Sequence, residues 1–300
     1  MLEQQKQQIA RALTSYLDEH KSEGMSQNKL AAMCGISPAY VSHILASNWN
    51  AVPVAGGKTS VISDQVWRKI QLALGLTSEV FETKNYLDVM YALAQAKGKA
   101  GYTIIDGDTG AGKTFAITEF QRQYPAATYV LKCSNAMTAN EFVRTMAEVV
   151  GVGKTGSKMQ VLAEVAAKLC REPNALLVID EAETMVKKNL AIGFIKDLYD
   201  RVEGRAAIVI TGANGLLEKL KVRASYNVES FPQVLRRFGA APVLLSSGID
   251  AGDAAEICAA FGITSKRDVS TLVAHCTNYG TLFSTLQKRK ADQEALQAAA

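Results

Sequence analysis

The sequence predicts an α/β fold: a parallel sheet flanked by helices, with a small helical domain before it and a helical region after it. Three runs of aliphatic and β-branched residues carry this prediction, at 102–106, 174–181 and 206–214. Such continuous runs are typical of strands that are buried on both faces. Between the first two runs, the segments 140–150 and 158–170 place apolar residues three and four positions apart, which predicts two helices there.

The composition is that of an ordinary globular chain, with 300 residues, 48% hydrophobic residues, 21% charged residues and a net charge of +4. This length allows one large α/β domain and smaller helical ones. No apolar run approaches the length of a membrane span and no signal-peptide core is present, so we expect a cytoplasmic protein without a membrane partner. The cysteines lack paired spacing, so we expect small buried hydrophobes rather than ligands or disulfides.

The N-terminal region, 1–76, has the local signals of a helix-turn-helix domain. After an amphipathic helix at 2–20, Ser26 can cap one helix, Gly35 allows a tight turn, and Ser37 can cap a second helix that has Pro38 at its first position. This segment resembles the helix-turn-helix of phage repressors. The side chains then available for DNA contacts are those of Ser37, Ala39, Tyr40, Ser42 and His43.

A helical hairpin used only for protein contacts is the alternative for this domain. Residues 1–60 contain five Lys or Arg and four acids, a net of +1, which is poor for tight DNA binding. A lone histidine such as His43 is more often a surface or packing residue than a base contact. We still favour DNA binding as the function of this domain. After the helix-turn-helix we expect a loop or wing over 49–60, a helix at 63–74 that completes the domain, and a linker at 77–82.

The strand at 102–106 leads into a G-x-x-x-x-G-K-T loop, and a helix is predicted at 115–124. Glycines let the backbone point its N–H groups inward, and the helix start adds the positive end of its dipole. A chance glycine-rich turn is the alternative, but the strand–loop–helix context favours a nucleoside triphosphate site. Its predicted residues are Gly107, Asp108, Thr109, Gly110, Ala111, Gly112, Lys113, Thr114 and Phe115. Lys113 would reach the β- and γ-phosphates, and the Thr114 hydroxyl would bind Mg²⁺.

Two later strands end in polar residues that can complete the site. The run at 174–181 ends in Asp180 and Glu181. We expect Asp180 to hold Mg²⁺ with Thr114 and Glu181 to orient or deprotonate the attacking water; the alternative is a cap for the next helix. The run at 206–214 offers Asn214 first and Thr211 second as contacts to the γ-phosphate, although either could simply shape the turn.

The order of these features resembles that of the AAA+ ATPases: phosphate loop, acidic-ended strand, polar-ended strand, the pair Arg236 and Arg237, and a helical C-terminal region. With the segment 81–84 and the N-terminal domain, the chain resembles the transposition protein B family of phage Mu and Mu-like prophages. The implied fold is a P-loop AAA+ parallel sheet at 77–245 with a helical C-terminal lid at 246–300, preceded by an all-α helix-turn-helix domain.

The resemblance implies a Mg²⁺-dependent ATPase that uses ATP to assemble on double-stranded DNA as a helical filament or ring, largely without sequence preference. It also implies delivery of that DNA to a transposase. Arg236 or Arg237, or less strongly Arg223, would act on the nucleotide of a neighbouring subunit; the alternative is an acid on their own subunit. The basic residues expected to contact DNA, unless they are merely a solvated face, are Lys187, Lys188, Lys219, Lys221 and Arg223. The tail 288–290 is a further candidate contact to DNA or transposase.

One residue departs from the family pattern, because Phe283 stands where many AAA+ lids carry an arginine that touches the γ-phosphate. This departure puts lid sensing in doubt, but not ATP binding. Two other functions stay open: a helix-turn-helix transcription regulator with ATP as a ligand, and a helicase loader of the same ATPase class. Glu181 favours hydrolysis over mere ligand sensing. Only the repressor-like N-terminal domain favours a role in transposition over a role as a helicase loader.

Overall fold

The computed structural model describes residues 3–54, 58–74, 80–187 and 191–299. The chain forms two compact units. The first comprises Met1–Val80 with Thr118–Ala126, and the second comprises Phe81–Ile117 with Ala127–Ala300. Among the described residues, no helix combines the length and the apolar character that a membrane span requires.

The first unit is mainly helical and has its own apolar core. An edge-to-face pair of tryptophans, Trp49 and Trp67, with ring centroids 5.6 Å apart, lies in this core. Its elements are α1 (Glu3–Glu19), a 3₁₀ turn (Lys21–Glu23), α2 (Gln27–Cys34), α3 (Pro38–Leu45), β1 (Val52–Val54), β2 (Lys58–Ser60) and α4 (Asp64–Ala73). The strands β1 and β2 pair antiparallel, so the predicted loop or wing contains a short ladder; Gly56 and Gly57 lie outside the described residues.

The turn between α2 and α3 follows from the capping residues seen in the sequence. The Ser26 hydroxyl accepts the Lys29 N–H at 3.3 Å, which caps α2. Gly35 ends α2 in the left-handed region with φ of 61°, a conformation that costs glycine little. The Ser37 hydroxyl accepts the Ala39 N–H at 3.3 Å and starts α3. The predicted pair of helices is therefore present, with the predicted caps.

The second unit is built on a parallel sheet. In the described chain its strands are β3 (Tyr102–Asp106), β4 (Thr128–Lys132), β5 (Leu176–Asp180), β6 (Ala207–Gly212) and β7 (Val243–Leu244). The order is β4-β5-β6-β3-β7, and all neighbouring pairs are parallel. Every residue of β5 and β6 is buried, as their continuous apolar sequences predict.

Helices surround the sheet and follow it in the chain. Those between and beside the strands are α5 (Lys84–Lys99), α6 (Lys113–Gln123), α7 (Ala139–Val150), α8 (Lys158–Arg171), α9 (Glu183–Lys187), α10 (Ile192–Val202), α11 (Leu216–Ser225) and α12 (Phe231–Phe238). The C-terminal helices, called the lid below, are α13 (Ala251–Ala260), α14 (Lys266–Ala274) and α15 (Tyr279–Ala299). The sequence reasoning did not predict α9, α10 or α11, although the apolar spacing in α10 gives a usable signal.

The parallel register gathers the polar strand ends at one edge of the sheet. Lys132 lies opposite Asp180, and Asp106 lies opposite Gly212. Because Ile179 pairs with Ile210, the next residues along β5 and β6 are also neighbours. Residues that are far apart in sequence therefore meet at the carboxyl edge, where open α/β sheets bind ligands.

Candidate active site at the carboxyl edge of the sheet

The loop at 107–112 joins β3 to the start of α6. Gly110 and Gly112 have φ of 82° and 93°, which other residues rarely adopt. A Cβ atom on Gly107 would lie 2.7 Å from Leu245, so this position also requires glycine. The first N–H groups of α6 have no partner within the helix, and they carry the positive end of its dipole. The loop is therefore suited to bind an anion.

Lys113, the first residue of α6, is buried, with 8% of its surface exposed. Its ammonium donates to the carbonyl oxygens of Gly107 at 2.6 Å and Asp108 at 2.9 Å. Burial lowers the pKa of Lys113, and nearby carboxylates, Asp180 foremost, oppose this effect. Among the described residues no carboxylate forms an ion pair with it. A bound phosphate would supply the missing opposite charge, so the site fits a nucleotide.

Asp180, at the end of β5, is almost fully buried. It accepts hydrogen bonds from the Thr114 hydroxyl at 2.9 Å, from the Thr211 hydroxyl and from the Glu181 N–H. A carboxylate beside a hydroxyl offers the hard oxygen ligands that Mg²⁺ prefers. Thr114 and Asp180 therefore lie together as the predicted metal site requires, and the donor set fits Mg²⁺.

Glu181 lies at the outer side of the site. Its backbone is left-handed with φ of 57°, and its side chain is 40% exposed. The carboxylate forms an ion pair with Lys132 at 3.0 Å, and this hydrogen bond raises the pKa of Lys132. No local pattern singles out Lys132, because its position beside Glu181 comes from the register of β4 against β5. Glu181 thus follows β5 at the carboxyl edge of the sheet, where its carboxylate is paired with Lys132.

The two candidates at the end of β6 differ in their surroundings. Thr211 is fully buried and donates its hydroxyl hydrogen to Asp180. Asn214 is exposed, with φ of 56°, in the turn before α11. The sequence analysis favours Asn214 over Thr211 as a contact to the γ-phosphate, and this stays a prediction. In the structure Thr211 contacts Asp180.

Two further carboxylates, missed by the sequence reasoning, hold the segment after β6. Asp106 accepts the Leu217 N–H at 2.9 Å, and Glu183 accepts the Ala213 N–H at 3.1 Å. Both also act on Lys113 by raising its pKa against the effect of burial. Asp106 had a detectable signal, because it is a polar residue at the end of an apolar strand, as Asp180 is. Together these acids fix the turn that carries Asn214.

The paired arginines of α12 have different environments. Arg237 forms an ion pair with Asp200 at 2.6 Å, and its guanidinium lies 4.2 Å from the centre of the Tyr199 ring. Arg236, in contrast, is exposed. The structure thus places Arg237 in the alternative role, bound to an acid of its own chain. Arg236 is the one of the pair that is accessible to another molecule.

The predicted basic DNA contacts on α11 do not all lie on one face of the helix. On α11, Lys219 and Arg223 are one turn apart and share a face, whereas Lys221 points elsewhere and pairs with Glu218 at 2.6 Å. Lys187 is the last residue of α9, and Lys188 lies outside the described residues. The tail residues 288–290 are exposed on α15.

The candidate recognition helix α3 presents a mixed outer face. Ser37, Ala39 and Ser42 are exposed, while Tyr40 and His43 are partly buried. Tyr40 packs against the apolar core of its unit, which limits its reach. The exposed hydroxyls remain available for phosphate or base contacts.

The remaining residues in and beside the loop differ in their exposure. Ala111 is buried, whereas Asp108 and Thr109 are exposed. Phe115 is 38% exposed, and its ring centre lies 6.2 Å from that of Tyr86 on α5. An aromatic edge therefore lies next to the phosphate loop.

Comparison with known proteins agrees with this geometry. Residues 96–220 match the family model described as an AAA domain. The structure of the Aeropyrum pernix ORC1 protein in complex with DNA is similar with a TM-score of 0.55 at 14% identity, covering 77% of this chain and 65% of that chain. AMPPCP-bound DnaA from Aquifex aeolicus gives a TM-score of 0.49 at 14% identity, covering 76% of this chain and 70% of that one. None of the curated protein sequences is significantly similar.

These similarities establish the fold of the second unit. The match to the AAA domain model covers residues 96–220, and the second unit has the P-loop AAA+ fold. The predicted fold class is confirmed, and the helical N-terminal region is consistent with it. The chain spans somewhat less than two thirds of the ORC1 chain, and at this identity the likeness concerns the fold alone.

Proposed function

We propose that the protein is a DNA-binding ATPase that assembles on target DNA in the presence of ATP and delivers that DNA to a transposase. One observation carries the ATPase proposal: Lys113, Thr114 and Asp180 converge at the carboxyl edge, next to a loop suited to anions. The role in transposition rests on the order of features that resembles the transposition protein B family.

Each residue of the site has a chemical role in this proposal. The loop N–H groups and Lys113 bind the phosphates, and Thr114 with Asp180 would hold Mg²⁺. The metal, when bound, neutralises charge on the transferred phosphoryl group. Glu181 accepts the proton of the attacking water after leaving Lys132. Thr211 keeps the Asp180 carboxylate oriented through its hydroxyl.

Assembly and DNA binding would depend on exposed or partly exposed groups. Arg236 is accessible and would stabilise the phosphoryl charge at a neighbouring subunit's nucleotide. Lys219 and Arg223 on α11, with the hydroxyls of α3, would contact DNA phosphates. The ORC1 protein of similar fold is described in complex with DNA, which supports a DNA partner for this chain as well.

Electron microscopy with random-sequence duplex DNA tests the proposal. We expect DNA-bound filaments or rings with ATP and Mg²⁺, none without nucleotide, and none with Lys113→Ala. A transposase partner should then increase ATP hydrolysis by the assembled protein. A discrete complex on one sequence that needs no ATP would favour the transcription regulator, and stimulation by a replicative helicase would favour the loader.

A further inference from the structure

The lid contacts the phosphate loop where α15 begins. Asn278, the residue before α15, donates a side-chain N–H to the Thr109 carbonyl oxygen at 3.1 Å. Gly280 donates its backbone N–H to the Gly110 carbonyl oxygen at 3.3 Å. Two neighbouring peptide carbonyls of the loop are therefore held by the lid.

This contact requires a glycine at position 110 and leaves little room at position 280. A Cβ atom on Gly110 would lie 2.4 Å from the amide carbon and oxygen of Asn278, and its φ of 82° also disfavours other residues. A Cβ atom on Gly280 would lie 3.3 Å from the Asn278 oxygen and 3.7 Å from the Gly110 Cα. A side chain at position 110 would therefore displace Asn278, whereas one at position 280 would only crowd it.

The orientation of the Asn278 amide is fixed from the other side. Its oxygen accepts the Thr281 N–H at 2.9 Å, and the Thr281 hydroxyl accepts the Asn278 N–H at 3.2 Å. This reciprocal pair caps α15. Because the acceptor end of the amide faces the helix, its donor end faces the loop.

A second asparagine connects the loop to the segment between β7 and the lid. Asn85 is buried; its amide donates to the Ser246 carbonyl oxygen at 3.0 Å and accepts the Ser246 N–H at 3.0 Å. The same amide nitrogen lies 3.5 Å from the Ala111 carbonyl oxygen. The loop is thus flanked by amide contacts at 109–110 and at 111.

We propose that Asn278 is a positioning residue that fixes the backbone orientation of the phosphate loop. In this way the lid is coupled to nucleotide binding without a charged lid side chain. The proposal rests on the proposed binding of ATP. In a planar trans peptide the C=O and N–H groups point in opposite directions. Holding the Thr109 carbonyl toward the lid therefore fixes the direction of the Gly110 N–H, which points away from the lid.

Phe283, which stands where many AAA+ lids carry an arginine, packs within the lid. The Phe283 ring lies 5.5 Å from that of Phe81 and packs with the lid's apolar cluster. The Asn278 contact reaches the loop backbone and not the γ-phosphate. We therefore expect its loss to weaken ATP and ADP binding by the same factor.

The test compares wild type with Asn278→Asp and Asn278→Ala. The aspartate keeps an acceptor for the Thr281 N–H but has no N–H to donate, and alanine removes the amide without adding charge. Calorimetry should show about tenfold weaker binding of both ATP and ADP for each variant, the size expected for one hydrogen bond. Hydrogen exchange of the nucleotide-free protein should become faster over 107–114.

The control is Ser265→Ala, which removes the cap of α14 in the same lid without touching the loop. It should leave both affinities and loop exchange unchanged. Wild-type affinities in both Asn278 variants, or a loss confined to ATP, would overturn the positioning role. If wild type bound neither nucleotide, the proposed function would fail, and loop exchange in the variants would still decide whether Asn278 holds the loop.

Discussion

The floor and the rim of the site are built differently. The floor, defined as Lys113, Asp180 and Thr211, is buried, and each side chain already has protein partners. The rim, defined as Lys132 and Glu181, is exposed and consists of one ion pair. The floor is therefore arranged before any ligand arrives, whereas the rim is held by a contact that water can replace.

This difference has an energetic basis. Removing one member of the floor leaves a buried polar group unsatisfied, at a cost of about 1–3 kcal/mol for each such group. An exposed ion pair, in contrast, contributes about 0–1 kcal/mol because water and salt screen it. In the proposed function, nucleotide binding therefore depends on the buried floor. Turnover depends on a glutamate that can change its partner at little cost.

The strongest test of the floor is Lys113→Ala. The substitution removes the cation that would bind the phosphates, so we expect ATP affinity to fall by at least about 100-fold, which corresponds to ~2.7 kcal/mol. Fluorescent ATP titration measures this loss, and Lys99→Ala, an exposed lysine of the same unit, serves as control. Retained affinity would mean that the nucleotide binds elsewhere.

Glu181→Gln, a change in the rim, should lower turnover without changing the nucleotide binding that depends on the floor. Loss of the proton acceptor should lower turnover by about 10²–10⁴-fold, while ATP affinity stays near the wild-type value. Steady-state hydrolysis and nucleotide titration measure the two effects. Glu183→Gln is the matched control, because glutamine can still accept the Ala213 N–H and should keep turnover within about tenfold. A larger loss in Glu183→Gln would transfer the catalytic role to that residue.

Thr211→Val tests the support of the floor. Valine has a similar shape but lacks the hydroxyl, so one Asp180 oxygen keeps only the Glu181 N–H. We expect about a tenfold rise in the Mg²⁺ concentration needed for half-maximal ATP binding. Thr211→Ser should restore the wild-type value. If valine has no effect, Thr211 is a packing residue and Asn214 becomes the better candidate.

The parts that the sequence predicted well have local signals. The strands β3, β5 and β6 are continuous apolar runs, and the glycine loop and its lysine are adjacent in the chain. The caps Ser26 and Ser37 likewise act on residues two or three positions away. Each of these features is specified by a few neighbouring residues, so a single sequence is enough to find them.

The remaining features depend on contacts between distant residues. Lys132 meets Glu181 because of the β4–β5 register, and Asn278 meets Thr109 because of where the lid packs. Adjacent helical residues point about 100° apart, so the sequence could not tell that Arg237, and not Arg236, would face its own chain. What the α3 surface binds depends on exposed side chains, which caps and core positions do not determine.

The smallest expected effect comes from Lys132→Met, which releases Glu181 but leaves the floor intact. Because an exposed pair is worth about 0–1 kcal/mol, basal ATP turnover without DNA should rise by at most about fivefold, with unchanged ATP affinity. Rising salt should produce a similar increase in wild type and little in the variant, since salt screens the same pair. The increase should vanish when Glu181→Gln is added. A fall in turnover would instead mean that Lys132 assists catalysis, and the rim would then be as fixed as the floor.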